Sequence, residues 1–227
     1  MHIEPGLVDG AKMAVGFATA AGLLGLTLRE AAGNVMNGNA FRLIAGTAIT
    51  LLVTLFSFEV LPHPTVGVSE VHLILGATLL LLFGAIPVAL GMASGLFLQG
   101  LFFEPADMVQ YGMNVTTLLA SLFVTSSVAK RLIPAGVKLV DITRRDVVKL
   151  SVIFQGSVVA WVAFWVVLGQ GLSVASLQSI VTFGLAYSVV VVVEVLVSLA
   201  LLVMCRAHKG MGLRRMLNPR LFQATVA

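Results

Sequence analysis

Seven apolar runs, separated by short polar or charged breaks, are the feature that most restricts what this chain can fold into. They fall at about 11–28, 41–60, 71–84, 87–103, 109–129, 147–168 and 177–204. At 1.5 Å rise per residue, a helix of roughly 20 apolar residues matches the hydrocarbon thickness of a bilayer. Soluble domains carry about 25% charged residues. Here the share is 11%, against 59% apolar residues and a mean hydropathy of +1.04 over 227 residues. The expectation is an all-α integral membrane protein with a single transmembrane domain, residues 205–227 forming a cytoplasmic tail.

The stretch from Val71 to Phe103 decides the span count. As one helix it would be about 50 Å long, too long for a hydrocarbon core of about 30 Å. Pro87, shortly after Gly84, offers a break. Two short spans there give seven crossings and place thirteen of the fourteen basic residues on one side. These lie in loop 29–42, loop 130–149 and the tail, leaving only Lys12 opposite. The positive-inside rule then predicts seven transmembrane helices, N-terminus outside and C-terminus cytoplasmic. Basic residues confined to such loops point to lipid and partner contacts, not to nucleic acid. The lone cysteine, Cys205, excludes an internal disulfide and any CxxC motif. No basic segment precedes the first apolar run, so a secretory signal is not expected.

Small residues mark two packing faces. Ala14, Ala18, Gly22 and Gly25 recur at helical spacing in the first run, which predicts a central helix packed on several sides. Gly91 and Gly95 form a GxxxG pair in the fourth.

Of the four histidines, His2, His63 and His72 fall at the outer face in this topology, and His208 lies in the basic tail. Histidine is too large for removal of the preceding methionine, so Met1 is expected to stay. Its α-amine, the amide nitrogen of His2 and the His2 imidazole can close two fused chelate rings on one ion. Three coplanar nitrogens favour Ni(II) or Cu(II) once a fourth donor completes the square. Either His63, between two prolines in LPHPTVG, or His72, in VSEVHLILG, is a candidate for that position. Asn114, near the outer end of the fifth run, is a candidate to orient a liganding imidazole. Glu194 interrupts VVVVVEVLVSL and is a candidate intramembrane functional carboxyl. Met13, Met92, Met108 and Met113 read as packing residues. No phosphate-binding loop, HExxH, GxSxG or Ser/His/Asp arrangement is present. Any uphill transport would therefore draw its energy from another subunit or an ion gradient.

These residues resemble the CbiM/NikM family, the substrate-capture components of energy-coupling factor importers for cobalt and nickel. Met1, His2, Ile3 and Gly6 match an N-terminal MHI-x-x-G. Residues 68–76, with Pro87 following, resemble the family's TS-x-HLLG loop and its two short spans. Gln99, Phe102, Phe103, Gly112 and Asn114 resemble its LxxQALLF…GAN run. The resemblance covers residues 1–13 and about 67–118. It implies metal bound by Met1, by the amide and imidazole of His2, and by a loop histidine that maps onto His72. Ser69 and Asn114 would support those ligands from behind. It also implies a transmembrane coupling subunit, cytoplasmic ATPases and, in some members, a small accessory membrane subunit. The setting implied is a bacterial or archaeal cell membrane. The Gly-Gly-Thr-Ser run is reduced to Gly67-Val68-Ser69, Thr117 replaces a second asparagine, and the aromatic after the N-terminal motif is missing.

The expected function is therefore capture of Ni(II) or Co(II) as transported substrate by a non-catalytic subunit, with no organic cofactor. Two other classes remain as alternatives. One is a stand-alone divalent-metal channel or secondary transporter with Glu194 in its path. The other is a haem-binding redox protein, which needs facing histidines within the spans that the sequence does not supply.

Overall fold

The computed structural model describes residues 6–207 and 211–224. Without water to satisfy backbone groups, apolar runs in a bilayer must form helices, and they do so here. The chain forms α1 (Met13–Met36), α2 (Ala40–Leu55), α3 (Gly76–Phe83), α4 (Ala85–Phe102), α5 (Tyr111–Leu132), α6 (Arg144–Gln170), α7 (Val174–Ala207) and the short α8 (Met211–Arg214). A wide turn over Phe56–Val60 prolongs α2, and a tight one over Pro105–Gln110 leads into α5. Between α2 and α3 lies a hairpin of β1 (Thr65–Val66) and β2 (Ser69–Glu70).

Among the described residues, six helical segments are long and apolar enough to cross a membrane: Gly10–Met36, Ala40–Val60, Ala85–Phe102, Pro105–Leu132, Arg144–Gln170 and Val174–Ala207. The third expected run takes another form. Residues 71–75 form no helix, turning tightly where the Ile74 N–H meets the His72 carbonyl, and α3 that follows has only eight residues, all buried. The break after it falls at Gly84, whose φ of +87° suits a residue without Cβ. Pro87 instead sits in the first turn of α4, where its missing N–H leaves no bond unmade. The expected loop 29–42 shrinks to residues 37–39, because the good helix formers Leu28 to Ala32 carry α1 past Arg29 and it ends at Met36.

The middle of α5 is the core. Val115, Leu118, Leu119 and Leu122 are wholly buried, and α1, α4 and α6 pack around them. The GxxxG face of α4 meets α2, as its small residues allow: a Cβ on Gly91 would stand 2.5 Å from the Cβ of Thr50. At Gly95 the corresponding approach to Thr54 would be 2.8 Å.

The expectation for α1 is corrected. This helix lies at the periphery, and Ala14, Ala18, Gly22 and Gly25 are exposed. At 100° per residue the nearly opposite face, Gly16, Ala20, Thr27 and Ala31, is the buried one. There Gly16 abuts Met113, Gly112 abuts Gly16 and Phe17, and Thr19 hydrogen-bonds Thr116 at 2.8 Å. Small residues occur on both faces of α1, and Gly16, facing Gly112 of α5, is the one that brings the backbones together.

At one end of the bundle the α3–α4 elbow is closed from below by the tail. The Asn218 N–H donates to the Leu82 carbonyl at 2.7 Å, and Leu217 and Leu221 are buried. Arg220 donates to the carbonyls of Ile133 and Pro134 at 2.7 and 3.1 Å. Glu30, Gly84, Lys130 and Arg220 line one cavity of about 530 Å³ at this end. Glu30 of α1 and the basic end of α5 therefore lie beside the elbow, and the β1–β2 hairpin sits at the other end of α2 and α3.

Candidate metal centre

The hairpin builds the centre by register. Gly67, φ +67°, stands first in its two-residue turn, where a type II′ hairpin requires glycine. Thr65 pairs with Glu70 and Val66 with Ser69. One step further out, the Val71 N–H donates to the Pro64 carbonyl at 3.0 Å. The next step sets His63 opposite His72. Their rings stack with centroids 4.8 Å apart and planes 7° from parallel. Phe58, from the wide turn at the end of α2, covers the His72 ring at 4.2 Å.

Side chains two apart on an extended chain point the same way, which brings Glu70 beside His72. The Glu70 Oε2 lies 3.5 Å from His72 Nε2 and 3.9 Å from His63 Nδ1. One donor atom from each of the three residues falls within 4.8 Å of the others. Two ligands of a tetrahedral ion bound at about 2.1 Å lie about 3.4 Å apart, so the His72–Glu70 pair is already close to ligand spacing. His72 is fully buried, whereas the side chains of His63 and Glu70 are 35% and 25% exposed. A divalent ion arriving from solvent meets those two first.

Of the residues singled out in the sequence, the structure brings His63 and His72 together. Ser69 is buried in β2, directly next to Glu70. Asn114 is buried in the first turn of α5, one turn before Leu118 and on the same face. Leu118 lines a small void with Phe58 and Ile74, so that face of α5 looks toward the centre. Met1 and His2, the core of the expected chelate, lie outside the described residues, as does His208. Glu194 is not part of this centre; it is buried within α7 among donors from α3 and α6. Thr117 accepts the Trp165 indole N–H at 2.9 Å, which ties α5 to α6.

Sequence reasoning missed Glu70 as a donor. The signal was the Glu-Val-His spacing, which places two ligating side chains on one face only if residues 69–72 are extended.

A family model described as CbiM, cobalt uptake substrate-specific transmembrane region, matches residues 2–210. That reaches well past the two segments that carry the motifs. No curated protein and no solved structure matches the chain.

Proposed function

The chain belongs to the CbiM family, the cobalt uptake substrate-specific transmembrane region, and on that premise we propose that it is the ion-capturing subunit of an energy-coupling factor ABC importer. It is a multi-pass membrane protein, and cobalt is the substrate its family takes up. The proposal extends the substrate to Ni(II), because an amine, a deprotonated amide and two imidazoles form a nitrogen square that Ni(II) prefers. The donors would be the Met1 amine, the amide and imidazole of His2, and His72.

The observation that carries this reading is the buried His72 ring, fixed between Phe58 and His63 with Glu70 at 3.5 Å. A ligand ring locked by packing needs no reorganisation when the ion arrives. His63 is the alternative fourth donor; its partial exposure suits transient contact better. Ser69 and Asn114 would buttress the ligands from behind.

We read the topology as seven crossings, N-terminus outside and C-terminus inside. The non-helical stretch 71–75 together with α3 makes the third crossing. An irregular segment at membrane depth is tolerated when protein encloses it, and every residue of α3 is buried. The basic end, with Lys130, Arg206 and Arg220, would face the cytoplasm. A transmembrane coupling subunit and ATPases would dock there and supply the energy, this chain hydrolysing nothing itself. A small accessory membrane subunit fits the same scheme. A channel running past Glu194 is disfavoured, because both carboxyl oxygens already accept N–H groups.

The test is calorimetry with Ni(II) and Co(II) on the purified full chain, with and without a short N-terminal extension. Elemental analysis after growth in mixed-metal medium adds the choice of ion. Tight binding lost on extension, with a d–d band of square-planar Ni(II), is the expected result. Unchanged affinity in the extended protein would sink the chelate.

A further inference from the structure

A helix that begins inside a membrane exposes N–H groups where no water can reach them. On the seven-crossing reading α3 is such a helix, and no side chain of its own segment caps it. Glu194 does so from α7. Its Oε1 accepts the Ala77 N–H at 2.8 Å and the Thr78 N–H at 3.4 Å. A carboxylate is the favoured group at the positive end of a helix dipole. Its Oε2 accepts one amide hydrogen of Gln155 at 2.8 Å, and the same Gln155 nitrogen donates to the Ile74 carbonyl at 2.7 Å. The Phe154 ring presses on Gly76, where no Cβ would fit, and Thr78 and Ser198 join hydroxyls at 2.6 Å. Glu194 and Gln155 are both wholly buried.

The clasp holds the backbone two residues from the candidate ligand. The Ile74 N–H donates to the His72 carbonyl at 3.0 Å, so a carbonyl fixed by Gln155 belongs to the residue that fixes His72. On the other side, the bond from Val71 to Pro64 ties the chain to the hairpin. His72 therefore hangs between two anchors, one at position 71 and one at positions 74–78. With only two rotatable side-chain bonds, its ring is aimed by that backbone and then held between Phe58 and His63.

We propose that Glu194 and Gln155 are positioning residues for ion capture: they set the place and direction of the non-helical His72–Leu75 stretch, and so aim the His72 ring at the ion. This rests on the reading of His72 as a metal ligand. It assigns the intramembrane carboxyl a part in affinity without any contact with the metal.

The test measures Ni(II) affinity, the d–d spectrum and amide hydrogen exchange over residues 72–79 in the full chain. Gln155→Leu and Glu194→Leu should each weaken binding about ten- to a hundredfold, as loss of ligand support does elsewhere. The band of the residual complex should not move, since the donors are the same, and exchange at 72–76 should rise in the metal-free protein. Glu194→Gln keeps an oxygen for the α3 amides and should restore affinity to within a few-fold. If Glu194→Leu does not fold, Gln155→Leu still leaves the cap on Ala77 in place and decides the matter. Lowered melting temperature with Ni(II) affinity within twofold in both leucine variants would overturn the positioning role. Absence of Ni(II) binding in the unchanged protein would instead overturn the ligand reading beneath it, and the two failures are told apart by that control.

Discussion

Two buried polar clusters lie within a few residues of each other along the chain, and they are built in opposite ways. At the hairpin, Glu70, His63 and His72 bring a carboxylate and two imidazoles together, with His63 and Glu70 partly open to solvent. At the start of α3, the Glu194 carboxylate is closed off and surrounded by N–H donors from Ala77, Thr78 and Gln155. A cation needs ligating atoms that converge and an approach path. The first cluster brings three such residues together with two of them partly open to solvent, and the second engages both carboxylate oxygens with the protein's own N–H groups. Carboxylates in membrane helices are functional candidates by default. What separates these two is access: His63 and Glu70 are partly exposed, whereas Glu194 is wholly buried with N–H donors on both oxygens.

The largest effect should come from His72→Phe, which keeps a ring between Phe58 and His63 but removes both nitrogens. Affinity for Co(II) or Ni(II) should fall more than about a hundredfold, beyond the loss usual for a supporting residue. The melting temperature should change little, and calorimetry with a thermal scan reads both. Glu194→Leu should be the most damaging of the set to the fold. It strands up to three donors, costing roughly 2–5 kcal/mol and lowering the melting temperature on the order of 10 °C. If His72→Phe unfolds the protein, or Glu194→Leu leaves stability untouched, the contrast between the clusters fails.

Within the hairpin cluster the effects should be graded. Glu70→Gln removes the charge but keeps an oxygen, and should slow Ni(II) association several-fold. His63→Ala should weaken binding by about tenfold or less, as expected of a residue that supports a ligand. Stopped-flow and calorimetry on the two variants would show this order. Loss of all binding in His63→Ala, with His72→Phe retaining it, would exchange the roles of the two histidines.

Much of this molecule was legible from residue order, and the exceptions share a cause. Long apolar helices follow from composition, because a bilayer leaves the backbone no other choice. Gly91 and Gly95 read correctly, since both lie on one face with a single helix opposite. On α1 the same reasoning chose the wrong side: small residues occupy both faces, and only the partner at Gly112 decides which is covered. The run GATLLLLFGA is apolar but for Thr78, so nothing in it marks where α3 begins. That boundary is fixed by Glu194, 117 residues further on. Glu70 was hidden likewise, because its spacing from His72 has meaning only in an extended chain. His72 itself was legible; the face-to-face pairing with His63 came from a hairpin register that no local pattern reveals.

The smallest expected effect lies in the clasp itself and tests whether its ionic and hydroxyl parts are equivalent. Thr78 and Ser198 share a 2.6 Å bond one helical turn along α7 from Glu194. Ser198→Ala removes one partner and leaves the Thr78 hydroxyl in the interior. That hydroxyl can turn to the carbonyl three residues back, as threonines in helices also do. For Thr78 this is Leu75, whose oxygen accepts the Leu79 N–H and has a second lone pair to give. The substitution should therefore cost under about 1 kcal/mol, within the range of intramembrane hydrogen bonds. Ni(II) affinity should stay within twofold, because neither Gln155 nor Glu194 has moved. A larger loss of affinity in Ser198→Ala than in Gln155→Leu would mean that α7 steers the His72 segment through Thr78, and that the carboxylate only caps the helix.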